Sequence, residues 1–171
     1  MTKSSSRVIC DAGPIIHLDE INCLNLLNSF EEIILPLSVE REIAVYRPSA
    51  LVGSSLTVRR QAESLDTGEK LLVLSQIFSL DAGETEALIL MKSNPNAIFL
   101  TDDAAARLVA EQMRFKVHGT IGILIRSIRR GQKKPEEVLQ ILEDLPKKSS
   151  LHIKHSLLNE ILQKVKQEFQ L

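Results

Sequence analysis

Short apolar runs rich in β-branched residues alternate along this chain with segments whose apolar positions recur every three or four residues. Residues 7–11 open the pattern as a strand centred on Val8-Ile9-Cys10, closed by Gly13-Pro14. Pro14 suits the first turn of a helix, where a missing N–H costs nothing. Ile15, Ile16, Leu18, Ile21, Leu24 and Leu27 then keep helical spacing, predicting a helix through 27. Residues 32–35 read as a second strand stopped by Pro36. Ser38 reads as the N-cap of a short helix containing Val39, Glu42 and Ile43. The pattern weakens between 47 and 80, with loop at Pro48 and Gly53, a short strand at 56–60, and helix or strand at 68–78. It returns with a helix opening at Asp81-Ala82-Gly83 and running to Met91, a strand at 97–101 and a helix at 104–113. A brief strand at 115–117 and a helix at 120–130 follow, with Gly131 as terminator. Two further helices, at 135–145 and 154–169, flank Pro146-Lys147-Lys148-Ser149-Ser150. We divide the chain into a domain at 7–130 and a helical extension at 135–171 packed on it.

Strand–helix alternation of this kind predicts an α/β fold, a mostly parallel sheet of four to five strands flanked by helices. Right-handed crossovers bring every strand-to-helix turn to one edge of such a sheet, and ligands bind outside the carboxyl ends of the strands. Asp11 follows the first run, and Asp102 and Asp103 follow Ile98-Phe99-Leu100, so topology alone converges them. Glu42 and Glu86 lie on helices within reach of that edge. Carboxylates gathered there repel one another unless a cation neutralises them, which predicts a Mg²⁺ or Mn²⁺ site.

Composition narrows this little. The chain has 171 residues, 44% hydrophobic and 25% charged, with a formal net charge of −1, so nothing pulls it globally toward polyanions. Any nucleic acid must be held by local cations and metal. Cys10 and Cys23 read as reduced core residues. The polar start, MTKSSSR, is followed by no apolar stretch of a signal peptide, and no run is long enough to span a membrane. The expected location is cytoplasmic.

The segments VICDAGPIIHL, LPLSVEREI, LDAGETEALIL, FLTDDAAAR and VHGTIGILI, in that order and spacing, resemble a PIN-domain protein. The similarity is to an uncharacterised prokaryotic subgroup related to VapC-type toxins. The resemblance implies a three-layer sandwich and a metal-dependent ribonuclease hydrolysing single-stranded RNA with acids around a divalent ion. It also implies a homodimer and a small antitoxin protein as partner. Carried over by position, Asp11 corresponds to the first acid, Glu42 (in Val39-x-x-Glu42) to the second, Glu86 to the third and Asp103 to the fourth. These four are the catalytic candidates. Asp11, Glu86, Asp102 and Asp103 are the metal ligands, with Asp102 in an outer position. Glu84 is the alternative third acid, because residues two apart on a helix point in different directions.

Arg126, Arg129, Arg130, Lys133 and Lys134 suit either an RNA backbone or a solvated helix end, and we favour the latter. Arg107, one turn beyond Asp103, is the better candidate for a phosphate or an active-site carboxylate. His17, His118, His152 and His155 show no metal-ligand spacing. One Tyr and no Trp leave little surface for stacking bases. The alternatives are a PIN-like module that binds RNA or a protein without cutting it, a phosphoacceptor receiver, which would want its acidic pair early, and a dinucleotide-binding enzyme, whose glycine fingerprint is absent.

Overall fold

The computed structural model describes residues 4–52, 58–61 and 68–170. Among them, five strands form one parallel sheet in the order β3-β2-β1-β4-β5. The central strand β1 (Ser4–Cys10) pairs with β2 (Phe30–Pro36) on one side and β4 (Ile98–Leu100) on the other. The short strands β3 (Val58–Gln61) and β5 (Lys116–His118) close the two edges.

The side-chain alternation of a strand divides the core into two layers. Val8, Cys10, Ile33, Leu35 and Leu100 face one way, against α1 (Ala12–Glu20), α6 (Thr120–Arg129), α7 (Pro135–Lys148) and α8 (His155–Phe169). Ile9, Ile34 and Phe99 face the other, against α3 (Glu69–Ile77), α4 (Ala82–Ser93) and α5 (Ala104–Gln112). Helices therefore cover both faces, which is why the central run is apolar without alternation. Cys10 and Cys23 are buried and unpaired. No helix among the described residues is long and apolar enough to cross a membrane.

Several boundaries differ from the sequence reading. The helix expected through residue 27 ends at Glu20; Asn22 takes a left-handed turn (φ 55°), a conformation asparagine tolerates, and a 3₁₀ turn, Leu24–Ser29, follows. Leu24 and Leu27 still reach the core, so the apolar spacing was right and the continuity wrong. Ser38 is not an N-cap: α2 (Leu37–Tyr46) starts two residues earlier than that would require, after Pro36, and Ser38 turns its hydroxyl to Glu86. The ambiguous stretch after Gly68 is helical. The strand expected at 56–60 is β3, although residues 56 and 57 lie outside the described residues. Helix α7 does not stop before Pro146 but runs to Lys148. Proline removes one donor there, yet Leu145 is fully buried and its carbonyl accepts from Ser149 N–H at 2.9 Å, so packing holds the last turn.

The C-terminal helices share the main core. Val138, Leu142, Leu145, Leu158 and Val165 cluster with Ile15 and Leu27, and Ile161 and Leu162 pack partly against them. Among the apolar residues of α8, Leu157 stays 48% exposed. Two polar ties fasten the extension. Arg129 forks onto Glu168 at 2.9–3.2 Å, and Glu20 accepts hydrogen bonds from Ser149 and Ser150 in the linker between α7 and α8.

Candidate active site

The carboxyl ends of β1 and β4 lie side by side because the two strands pair in register, Cys10 opposite Leu100. Asp11 follows the first. Its N–H donates to the Leu100 carbonyl at 2.9 Å, and its Oδ1 accepts from Ala12 N–H at 2.7 Å, capping α1. Thr101 follows the second strand and is fully buried. Its hydroxyl donates to Asp11 Oδ2 at 3.0 Å and accepts from Asp103 N–H at 3.1 Å, so one side chain fixes both acids. Asp103 Oδ1 caps α5 through Ala106 N–H at 2.8 Å. Each acid thus spends one oxygen on a helix cap, and Asp11 shares its other with the Thr101 hydroxyl.

The third wall comes from α4. Asp81 and Glu84 form a reciprocal capping box: Asp81 Oδ1 accepts from Glu84 N–H at 2.8 Å, and Glu84 Oε2 accepts from Asp81 N–H at 3.0 Å. Gly83 lets α2 approach. A Cβ there would meet Val39 Cγ2 at 3.0 Å, with Asp81 Oδ1 and Glu42 Oε2 at 3.4 and 3.7 Å. Glu42 is thereby drawn alongside Asp81.

The electrostatics follow from this crowding. Burial pushes Asp11 up to about 6; the hydrogen bonds from Ala12 and Thr101 oppose the shift, while Asp81 and Glu42 add to it. Burial raises Glu84 to about 7 against the bond from Asp81 N–H, and the carboxylates of Asp81, Asp103 and Asp11 push the same way. Glu42 is raised by burial and then by Asp81. Asp11 and Glu84 are only 7% and 8% exposed, while Asp81 and Asp103 stand at the open rim. None of these five carboxylates has a salt bridge among the described residues. Buried, mutually repelling oxygen donors without a protein cation suit Mg²⁺ or Mn²⁺ in kind. As the side chains stand, no three His, Cys, Asp or Glu among the described residues are arranged as a metal-binding group.

The structure redistributes the sequence candidates. Asp11, Glu42 and Asp103 share the crevice. Glu86 does not face it: its Oε2 accepts from the Ser38 N–H and hydroxyl at 3.2 and 2.5 Å, tying α4 to α2. Glu84 takes the inward place. Two residues along a helix turn the side chain by about 200°, and the capping box aims position 84 back toward the helix start. Asp102 is hydrogen-bonded to other elements. Its Oδ2 bonds His17 Nδ1 at 2.8 Å and the Thr120 hydroxyl at 2.5 Å, and its Oδ1 accepts from Thr120 N–H at 2.8 Å. It works as a clamp between α1, β4 and α6. Asp81 was missed, and the Asp81-x-x-Glu84 signature of a capping box could have found it. Of the basic cluster, Arg126 stacks on Phe30 at 4.1 Å and Arg129 holds Glu168, which makes both structural ties.

No curated protein and no solved structure matches the chain. A family model described as a PIN domain matches residues 7–167, which includes every acid of the crevice, all of α7 and all but the last two residues of α8. That match agrees with the parallel sheet and its acidic strand ends, and the chain belongs to the PIN-domain family, whose members are generally nucleases and typically use divalent metals.

Proposed function

We propose that this protein is a divalent-metal-dependent endoribonuclease that hydrolyses single-stranded RNA and serves as the toxin of a type II toxin–antitoxin pair. One observation carries the catalytic part: two buried carboxylates, Asp11 and Glu84, stand among other acids, and neither has a salt bridge among the described residues. Asp11, Glu84 and Asp103 would hold Mg²⁺ or Mn²⁺, with Glu42 and Asp81 flanking. When bound, such an ion supplies an acidic water and neutralises charge on the scissile phosphate. The protein's part is positional. Thr101 fixes Asp11 and Asp103, the capping box fixes Asp81 and Glu84, and Glu42 presents a half-buried acceptor for a water proton. The toxin role, the cytoplasmic location, the antitoxin and a homodimer rest on the resemblance of the five motif segments to the VapC-related subgroup.

Labelled single-stranded RNA incubated with the purified protein and Mn²⁺ tests the reaction. Cleavage that disappears with chelator and in Asp11→Asn supports the reading; intact RNA overturns it. A small antitoxin gene beside the reading frame would support the toxin role. A second reading, a PIN-like module that binds RNA or a partner without cutting, draws on the acids not being arranged as a metal-binding group as they stand. Asp11→Asn separates the two, since a binding module retains its affinity and has no cleavage to lose.

A further inference from the structure

A cleft of about 300 Å³ opens at the β4–β5 end of the same sheet edge, one strand along from the acids. Asp102 and Arg107 form its near side, Val117, Ile121, Ile153 and Leu157 an apolar wall, and His118 and His152 its polar margin. Asp102 brings a carboxylate to the cleft, with its oxygens hydrogen-bonded to His17 and Thr120. Arg107 has no carboxylate partner among the described residues. Its Nη2 donates to the Thr101 carbonyl at 3.2 Å, the same Thr101 whose hydroxyl holds Asp11. His118 adds no positive charge, because partial burial, then Arg107 and Arg126, hold its pKa below the ordinary imidazole value. Gly119 keeps the cleft floor open, since a Cβ there would meet Asp102 Oδ1 at 2.5 Å and Arg107 Nη2 at 3.0 Å.

An unpaired guanidinium beside an apolar wall is the arrangement that grips a phosphate and rests a base or ribose against carbon. We propose that this cleft seats the nucleotide next to the scissile bond: Arg107 takes a phosphate oxygen of single-stranded RNA, and the attached base lies against Val117, Ile121, Ile153 and Leu157. This rests on the nuclease reading for the position of the cut, but the grip itself stands on the cleft.

The test uses the full chain carrying Asp11→Asn, with Mg²⁺ and a fluorescein-labelled single-stranded RNA, and reads anisotropy across a salt series. Adding Arg107→Ala should weaken binding about tenfold and reduce the slope of log affinity against log salt by about 0.7, one phosphate contact on a single strand. Arg107→Lys should keep the slope and lose part of the affinity. Leu157→Ser should weaken binding with the slope unchanged. The proposal is overturned if Arg107→Ala keeps its melting curve and shows the parent's affinity and slope. If that variant does not fold, Arg107→Gln is judged by the same two readouts. Asp11-dependent cleavage whose KM ignores Arg107 sinks the cleft and leaves the nuclease. Arg107-dependent binding by a wild-type protein that cuts nothing does the reverse, and no RNA binding at all removes both.

Discussion

Asp11 and Glu20 stand at the two ends of α1, and their carboxyl groups are perturbed in opposite directions. A helix dipole alone favours a carboxylate at the N-terminus and disfavours one at the C-terminus. The structure shows the reverse. Asp11, the N-cap, is pushed up to about 6, because burial and facing carboxylates outweigh two hydrogen bonds. Glu20, the last residue of the helix, is held low: its modest burial is overcome by the Ser150 N–H at 2.7 Å and the Ser149 and Ser150 hydroxyls at 2.8 and 2.9 Å. One end of the helix is arranged for stability. The other bears a cost that folding alone does not require, and such a cost is a pointer to chemistry.

The sharpest way to break this contrast is to neutralise Asp11. Asp11→Asn keeps the acceptor for Ala12 N–H but removes the charge. RNA cleavage should fall by more than about 100-fold, beyond the loss typical of a metal ligand's outer partners. Thermal stability of the metal-free protein at pH 8 should hold or rise. A large loss of stability with activity retained would make Asp11 a simple cap.

The two glutamates of α4 repeat the contrast over two residues. Glu84→Gln should cost most of the cleavage. Glu86→Gln should leave it largely intact and cost stability by about 1 kcal/mol through the weakened bonds from Ser38. The opposite ranking in a cleavage assay would return Glu86 to the site.

Acidity sharpens the comparison further. Above pH 8 Asp11 and Glu84 are ionised both folded and unfolded, and the metal-free fold carries the full penalty. As pH falls through about 7 and then about 6, the folded chain takes up protons that the unfolded chain still releases, so stability rises. The gain is complete below the unfolded values near about 4. Glu20 has the opposite sign: its contribution is full above its unfolded value and is lost as pH drops through the lowered folded one. Melting temperature in chelator should therefore climb from pH 8 to about 4 and fall below it. Mn²⁺ should add more stability at pH 8 than at pH 6, by mass action on ionised ligands. A flat profile between pH 8 and 5 would contradict the crowded-carboxylate account.

The smallest effect belongs to the quiet end of the helix. Glu20→Ala should destabilise by about 1 kcal/mol through the lost hydrogen bonds to the α7–α8 linker, with cleavage unchanged. A fall in cleavage comparable to that of Glu84→Gln would couple the two ends of α1.

The sequence carried the architecture through period alone. Val8-Ile9-Cys10 and Ile98-Phe99-Leu100 are strands because they are β-rich and bounded, and the crossover rule then brought Asp11 and Asp103 together. Direction around a helix was less legible. Choosing between Glu84 and Glu86 needs the rotational phase of α4, which the Asp81 cap sets and apolar spacing does not. Asp102 looked like a ligand by adjacency to Asp103. Its partners, His17 and Thr120, are distant in sequence, so only tertiary structure shows them. The break at Asn22 and the run through Pro146 are likewise packing outcomes that override local propensity.

Thr101 joins the crevice to the cleft through two of its groups, the hydroxyl donating to Asp11 and the carbonyl accepting from Arg107. The offset between Asp11 and the Arg107 guanidinium is spanned by this one residue and two hydrogen bonds, at 3.0 and 3.2 Å. A single buried threonine therefore ties the carboxylate of Asp11 to the guanidinium of Arg107.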